Sequence, residues 1–377
     1  MRRAALAAAC LLAVPPALEA LARAALAVWL RDPAVLVATP ASMGPYSAMR
    51  PDLNLDGYLR YAPGSLKRLY TPHPWFGLRP YHTRFNALGF RGPQPVVPKP
   101  SGVFRVVCLG ESSTLGAFNP DDETFPALLE KALNASAPAG LRFETVNLGV
   151  ARQTSAALGP LLRRVVLPLD PDLVVFYGGH NDARDALFGP PPEPSGPWLL
   201  PQLALMARLR LFARGPAAEA ARAADAALAP RFRDALLSTA DALSRRGVPF
   251  IVATQKHGGA SRGERPYAVE YARVAAALAR DGSFADGLDA VTYAHHRLMA
   301  AVSGYAAGRF VVVDGIAALD AAPRAFVSPI HLTRAGNEAL VRALSAPVLE
   351  SAARRSRPTP PAARRPRPDG TSPAPAR

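Results

Sequence analysis

The chain has 377 residues, with 44 Lys+Arg against 29 Asp+Glu and a formal net charge of +15. A 49% hydrophobic content can bury a sizeable core, which excludes a chain disordered throughout. Two cysteines, Cys10 and Cys108, exclude a disulfide framework and a zinc site of four thiolates. The charge by itself suggests nucleic acid or an anionic surface. Yet only four of the 44 basic residues are Lys, and neither zinc-finger spacing nor an aromatic RNA-binding stretch accompanies them. No nucleic-acid partner is therefore expected.

Arg2 and Arg3 precede an apolar run over 4–14, and Ala20-Leu21-Ala22 follows. This is the basic, apolar, small-residue order of a secretory signal peptide. A second apolar stretch over 24–30 would extend it into an uncleaved membrane anchor, though Glu19 and Arg23 interrupt the span. Residues 1–30 thus predict an extracytoplasmic protein, secreted or tethered to the membrane.

Short apolar, β-branched runs follow at 104–109, 144–148, 173–177, 249–253 and 310–313. Their near-continuous apolar character suits strands buried on both faces of a parallel sheet. Helical spacing lies between them at 124–133, 155–166 and 232–246, and a last helix is expected over 333–349. The sum is a doubly wound α/β sheet of about five strands. Ligands of such sheets bind beyond the carboxyl ends of the strands.

Polar residues gather at those ends. Gly110-Glu111-Ser112-Ser113-Thr114-Leu115-Gly116 follows the first strand, and Asn147-Leu148-Gly149-Val150-Ala151-Arg152-Gln153 closes the second. Gly178-Gly179-His180-Asn181-Asp182 follows the third. Ser328-Pro329-Ile330-His331-Leu332-Thr333, then Gly336-Asn337, comes near the end.

With these blocks the chain resembles the SGNH/GDSL hydrolases from about residue 101 to 349. Gly110-Glu111-Ser112 is similar to the family's Gly-Asp-Ser block, with Glu111 in place of Asp. Gly179-His180-Asn181-Asp182 matches its Gly-x-Asn-Asp block, and His331 with Gly336-Asn337 its closing block. The upstream His73-Pro74-Trp75-Phe76-Gly77 and Asn86-Ala87-Leu88-Gly89-Phe90-Arg91-Gly92 resemble the extension of exported members. The resemblance implies a three-layer α/β/α, flavodoxin-like sheet. It divides the chain into an N-terminal extension over 31–100 that packs on a catalytic domain over 101–350.

A serine hydroxyl is a weak nucleophile without a base. Ser112 is the candidate nucleophile and His331 the base that takes its proton and returns one to the leaving alcohol. The resemblance implies three oxyanion donors: the N–H of Ser112, the N–H of Arg152 and the side-chain amide of Asn181. Asp182 reads as a structural turn or cap residue.

Two positions depart from the family. An Asp normally stands three residues before the histidine; here it is Ser328, which can hold the imidazole tautomer but supplies no charge. Asp314 and Asp320 are the carboxylates nearby in sequence that would replace it. The family's oxyanion glycine falls at Arg152, which matters only if the turn requires a positive φ or a very close approach.

His295-His296 and His257 lack metal-ligand spacing, so neither metal nor cofactor is expected. Lys256-His257-Gly258-Gly259 follows the fourth strand and reads as a plain loop, with crevice lining as the alternative. Residues 189–230 are Pro-rich, then apolar, then Ala-rich; they are expected to form an insertion or lid, with 217–229 helical. Residues 351–377, with seven Arg and seven Pro, are expected to be a disordered tail. Its charge offers contact with an anionic envelope or membrane surface. The expected reaction is hydrolysis of a short-chain, acetyl-type ester on a glycan or lipid. The alternatives are acyl transfer to an envelope glycan and a catalytically silent binding module.

Overall fold

The computed structural model describes residues 16–25, 27–28, 49–55, 57–73, 77–189 and 218–355. The apolar run over 4–14, residues 74–76, the stretch over 190–217 and the tail from 356 lie outside the described residues.

Residues 49–92 carry two antiparallel ladders. β1 (Leu53–Leu55) pairs with β2 (Tyr58–Arg60), and β3 (Leu66–His73) with β4 (Gly77–Arg84). The chain then enters a five-stranded sheet of β5 (Val103–Gly110), β6 (Arg142–Gly149), β7 (Leu173–Tyr177), β8 (Phe250–Ala253) and β9 (Val311–Val313). All neighbours are parallel, in the order β6-β5-β7-β8-β9. β5 lies between β6 and β7, so the connections on its two sides diverge and a crevice opens at the carboxyl ends of β5 and β7.

The helices that follow the extension are α1 (Ser112–Leu115), α2 (Phe125–Ala135), α3 (Leu158–Leu161), α4 (His180–Phe188) and α5 (Ala218–Ser244). They continue with α6 (Tyr267–Asp281), α7 (Gly287–Ala306), α8 (Gly315–Asp320) and α9 (Arg334–Arg355). Alternate strand residues face opposite layers, as the two-residue period of a strand requires. Val107, Leu109, Val174 and Phe176 pack with Phe232 and Leu236 of α5 and Leu298 of α7. Val106, Cys108, Leu173 and Val175 pack with Leu129 of α2 and Leu340 and Leu344 of α9. The extension joins the first of these cores through Tyr61, Leu69, Phe85 and Phe90.

Several boundaries differ from expectation. The helix expected over 155–166 breaks into a 3-10 turn, α3, a π turn (Leu162–Val166) and a second 3-10 turn (Leu167–Leu169). Pro168 has no N–H to continue the ladder, and Asp170 closes the segment at φ 51°. Residues 218–230 form the first half of α5, in line with the Ala-rich helical reading, with Leu228 buried. α9 runs five residues into the expected tail, because Ser351 and Ala352 are small enough to be buried and Arg355 pairs with Asp172 at 3.2 Å. α6 and α7 have no counterpart among the expected helices.

Candidate active site

β5 ends at Gly110 because nothing larger fits. A Cβ there would lie 2.1 Å from the Tyr177 carbonyl oxygen and 2.2 Å from Thr114 Oγ1. The chain turns at once into α1, with Glu111 at its N-cap and Ser112 as its first residue. Thr114 donates to the Tyr177 carbonyl at 2.9 Å and Ser113 to the Ile330 carbonyl at 2.8 Å, fixing this turn to β7 and to the histidine loop. That loop is a tight reversal, closed by the Val327 N–H on the His331 carbonyl at 2.9 Å. It is held to the segment after β8 by the Gly258 N–H on the Pro329 carbonyl at 2.6 Å.

The two turns bring His331 Nε2 to 2.9 Å from Ser112 Oγ. On the other side of the ring, Nδ1 lies 2.6 Å from Ser328 Oγ, which also accepts the His331 N–H at 3.1 Å. Ser112, His331 and Ser328 are all buried. The Phe118 ring packs edge-on with the imidazole, centroids 4.8 Å apart. Asp314 and Asp320 are engaged elsewhere. Asp314 caps α8 through the Ala317 N–H, and Asp320 pairs with buried Lys256 at 2.8 Å and accepts the Tyr267 N–H. The group against His331 Nδ1 is therefore a hydroxyl.

Glu111 organises the third block, a role that its substitution for Asp does not reveal in sequence. Its Oε1 accepts the N–H of Gly179 at 2.6 Å and of Asn181 at 3.1 Å. The Asn181 amide donates to the Gln153 carbonyl at 2.9 Å, which joins the second and third blocks. Asp182 strengthens the same junction by accepting the Ser155 N–H and hydroxyl, in keeping with a structural role. The extension holds the second block from outside. Tyr61 accepts the Ala151 N–H at 3.3 Å, and Gln153 Oε1 accepts the Leu59 N–H at 2.8 Å.

Arg152 sits in this loop with φ 68°, so the turn does require the left-handed conformation that glycine adopts freely. Arg152→Gly is expected to stabilise the fold by about 0.5–1 kcal/mol, the relief of left-handed strain less the added unfolded-state entropy. Urea unfolding reads this as a raised midpoint, and a lowered midpoint would contradict it. Asn181→Ala is expected to reduce kcat by about 10² or more, the typical loss for an oxyanion donor. Steady-state kinetics on a folded sample checks it, and an unchanged kcat would remove Asn181 from the site.

Burial sets the electrostatics. It pushes His331 down to about 3, so the imidazole is neutral at physiological pH. Burial, then the nearby Asp182 charge, pushes the Glu111 carboxyl up to about 8, against the two N–H groups that favour its ionised form. Partial burial, then Arg184 and Arg50, hold the Arg152 guanidinium below its usual range.

Beyond the carboxyl end of β8 lies a buried polar cluster. His180 stacks on His257 with centroids 5.1 Å apart, and Tyr267 Oη meets His295 Nδ1 at 2.7 Å. Gln255 Oε1 accepts the His180 N–H and lies 3.2 Å from His295 Nε2. His257, in the loop after β8, is fully buried. Among the described residues no group of three or more His, Cys, Asp or Glu is placed to hold a metal.

A serine hydroxyl at bonding distance from a neutral imidazole, at the carboxyl edge of a parallel sheet, is an arrangement suited to acyl transfer to and from serine. The chain matches the GDSL-like lipase/acylhydrolase family over residues 108–339, more than half of its length. It belongs to that family and is a serine hydrolase acting on an ester substrate.

Among solved structures it is similar to an acetyl xylan esterase, AlAXEase, at 14% identity and a TM-score of 0.41, covering 65% of this chain and 100% of that one. A lipase/acylhydrolase from Enterococcus faecalis is similar at 17% identity and a TM-score of 0.39, covering 67% and 96%. Axe2, an acetylxylan esterase from Geobacillus stearothermophilus, is similar at 15% identity and a TM-score of 0.40, covering 65% and 94%. No curated protein sequence matches the chain.

Proposed function

We propose that the chain is an exported esterase that removes a short, acetyl-type acyl group through an acyl-enzyme on Ser112. The 2.9 Å contact between Ser112 Oγ and His331 Nε2 carries this reading. His331 takes the hydroxyl proton as Oγ attacks the carbonyl carbon, then gives it to the departing alcohol. Water attacks the acyl-enzyme in the second half, with His331 again as base. Negative charge on the former carbonyl oxygen meets the N–H of Ser112, the N–H of Arg152 and the Asn181 amide. The closeness of Phe118 to the dyad favours a small acyl group.

Acylated envelope glycans or lipids are the substrates proposed. The cationic Arg152, with Arg50 and Arg184 near enough to act on it, suits an anionic substrate or surface. The N-terminal segment is proposed as the tether. Over residues 16–28, Leu18, Leu21 and Val28 are exposed while Glu19 is buried and bonded to Arg23 at 2.7 Å. Apolar side chains facing outward on one stripe fit contact with lipid. No helix among the described residues is long and apolar enough to cross a membrane.

Product analysis on acetylated polysaccharide tests the reaction. Free acetate in step with deacetylated polymer supports hydrolysis. Acetate moved to an added glycan acceptor would replace it by acyl transfer, and neither product would favour a binding module.

A further inference from the structure

The extension contributes one buried cation to the nucleophile turn. Its sequence Asn86-Ala87-Leu88-Gly89-Phe90-Arg91 builds a compact reversal. Asn86 Oδ1 accepts the N–H of Leu88 at 3.0 Å and of Phe90 at 3.2 Å. Gly89, at φ 76°, has no room for a side chain, since a Cβ would stand 2.2 Å from the Tyr61 carbonyl oxygen. Phe90 anchors the reversal in the core, and Phe85 bridges to Arg91 across it. Arg91 itself is 2% exposed, and its guanidinium enters the loop after α1.

All five guanidinium donors are used there. Nε donates to Asp121 Oδ1 at 2.7 Å. Nη1 donates to the carbonyls of Leu115 at 2.9 Å and Gly116 at 2.7 Å. Nη2 donates to the Asn119 carbonyl at 2.7 Å and to Tyr81 Oη at 3.2 Å. α1 is a single turn, so the carbonyls at its C-terminal end have no helical partners of their own. Arg91 supplies partners to two of them, beside the Asn119 N–H on the Gly116 carbonyl at 2.9 Å and the weaker Asn147 amide on that of Leu115 at 3.4 Å. The same loop carries Phe118, whose ring rests on His331.

We propose that Arg91 is a positioning residue for catalysis: by clamping both the end of the Ser112 turn and the Phe118 loop, it holds Ser112 and His331 in register. The proposal rests on the Ser112 esterase reading. A lysine offers three donors at one point and cannot span the five acceptors that the planar fork reaches. Arg91→Lys should therefore let the turn shift while keeping the charge, and a misplacement of about 1 Å can cost on the order of 10² in rate.

The matched comparison is Arg105→Lys. Arg105 is as deeply buried and also bonds carbonyls, those of Leu169 and Val96, together with Glu144, but near the opposite end of β5. Both variants of the full chain are compared with the parent for thermal unfolding, p-nitrophenyl acetate kinetics and the rate of labelling by an alkyl fluorophosphonate. Arg91→Lys is expected to lose about 10- to 100-fold in kcat with KM within about twofold. Its labelling rate falls with kcat, while folded Arg105→Lys keeps the parental kcat. A parental kcat in folded Arg91→Lys, or an equal loss in both variants, overturns the proposal. If Arg91→Lys does not fold, Asp121→Ala decides, because Asp121 is largely exposed. A lowered kcat there supports the clamp and a parental one overturns it. Absence of Ser112-dependent labelling in the parent is a different failure, that of the esterase reading itself.

Discussion

Ser112→Ala is expected to lower ester hydrolysis by about 10⁴-fold or more, the scale on which a serine hydrolase loses kcat with its nucleophile. Its hydroxyl faces the His331 imidazole at bonding distance, and its removal leaves the substrate carbonyl carbon no oxygen to bond. Neighbouring Ser113 cannot take over, because its hydroxyl is committed to the Ile330 carbonyl. An alkyl fluorophosphonate should label the parent and not the variant, and initial rates with p-nitrophenyl acetate should fall in parallel. Equal labelling of the two proteins would place the nucleophile elsewhere.

Ser328→Asp is expected to raise kcat by at least about tenfold, with a ceiling of about 10⁴, the factor lost when a serine protease has its triad Asp made neutral. Two deficits of the hydroxyl explain the gain. A serine hydroxyl can donate or accept. Ser328 Oγ already accepts the His331 N–H, and the Ile330 N–H more weakly at 3.4 Å. Its own proton can then point at Nδ1, which leaves the imidazole proton on Nε2, facing Ser112, where a base is needed. A carboxylate only accepts, so it fixes the proton on Nδ1. It also stabilises the imidazolium that forms as Ser112 attacks. In the parent the Ser328 hydroxyl occupies that place, and burial holds the ring's pKa down to about 3.

The pH profile separates this from a change in folding. In the free enzyme the base is lost when it protonates, so the acid limb of kcat/KM follows the His331 pKa. The parent is expected to keep its kcat/KM from neutrality down to about pH 5 or below. The introduced negative charge raises the imidazole pKa, so the acid limb of Ser328→Asp moves up toward neutrality. An unchanged limb with unchanged kcat would mean that position 328 does not govern the base.

The sheet is legible in the sequence because its strands are short runs of apolar residues, most of them buried on both faces. Each run falls within two residues of an observed strand at either end, and 173–177 coincides with β7. The antiparallel ladders of the extension carry no such signal. Leu66–His73 and Gly77–Arg84 mix basic residues with Pro72 and Pro80, and much of this two-stranded ribbon remains in solvent. α7 shows how composition conceals a helix. Ala290, Val291, Ala294, Leu298, Met299 and Val302 make a buried stripe, but His295 lies among them, and its partners come from α6 and the segment after β8.

At the site, Ser328 can be read from its three-residue distance to His331, and Arg152 from the block it interrupts. Arg91 cannot. The motif is visible, but the meaning of the guanidinium depends on carbonyls between Leu115 and Asn119, which only the folded chain brings to it. Glu111 is similar. Its extra methylene reads as a conservative change until its carboxylate is found on the N–H groups of Gly179 and Asn181.

Tyr61, Phe85 and Phe90 share one apolar cluster with Leu115, Phe118 and Leu148. A fragment starting at residue 101 would therefore leave the back of the nucleophile turn bare to water. One ending at 350 would remove Ser351 and Ala352, which are buried near the end of α9. A piece that keeps both contacts reaches from Met49 to Arg355.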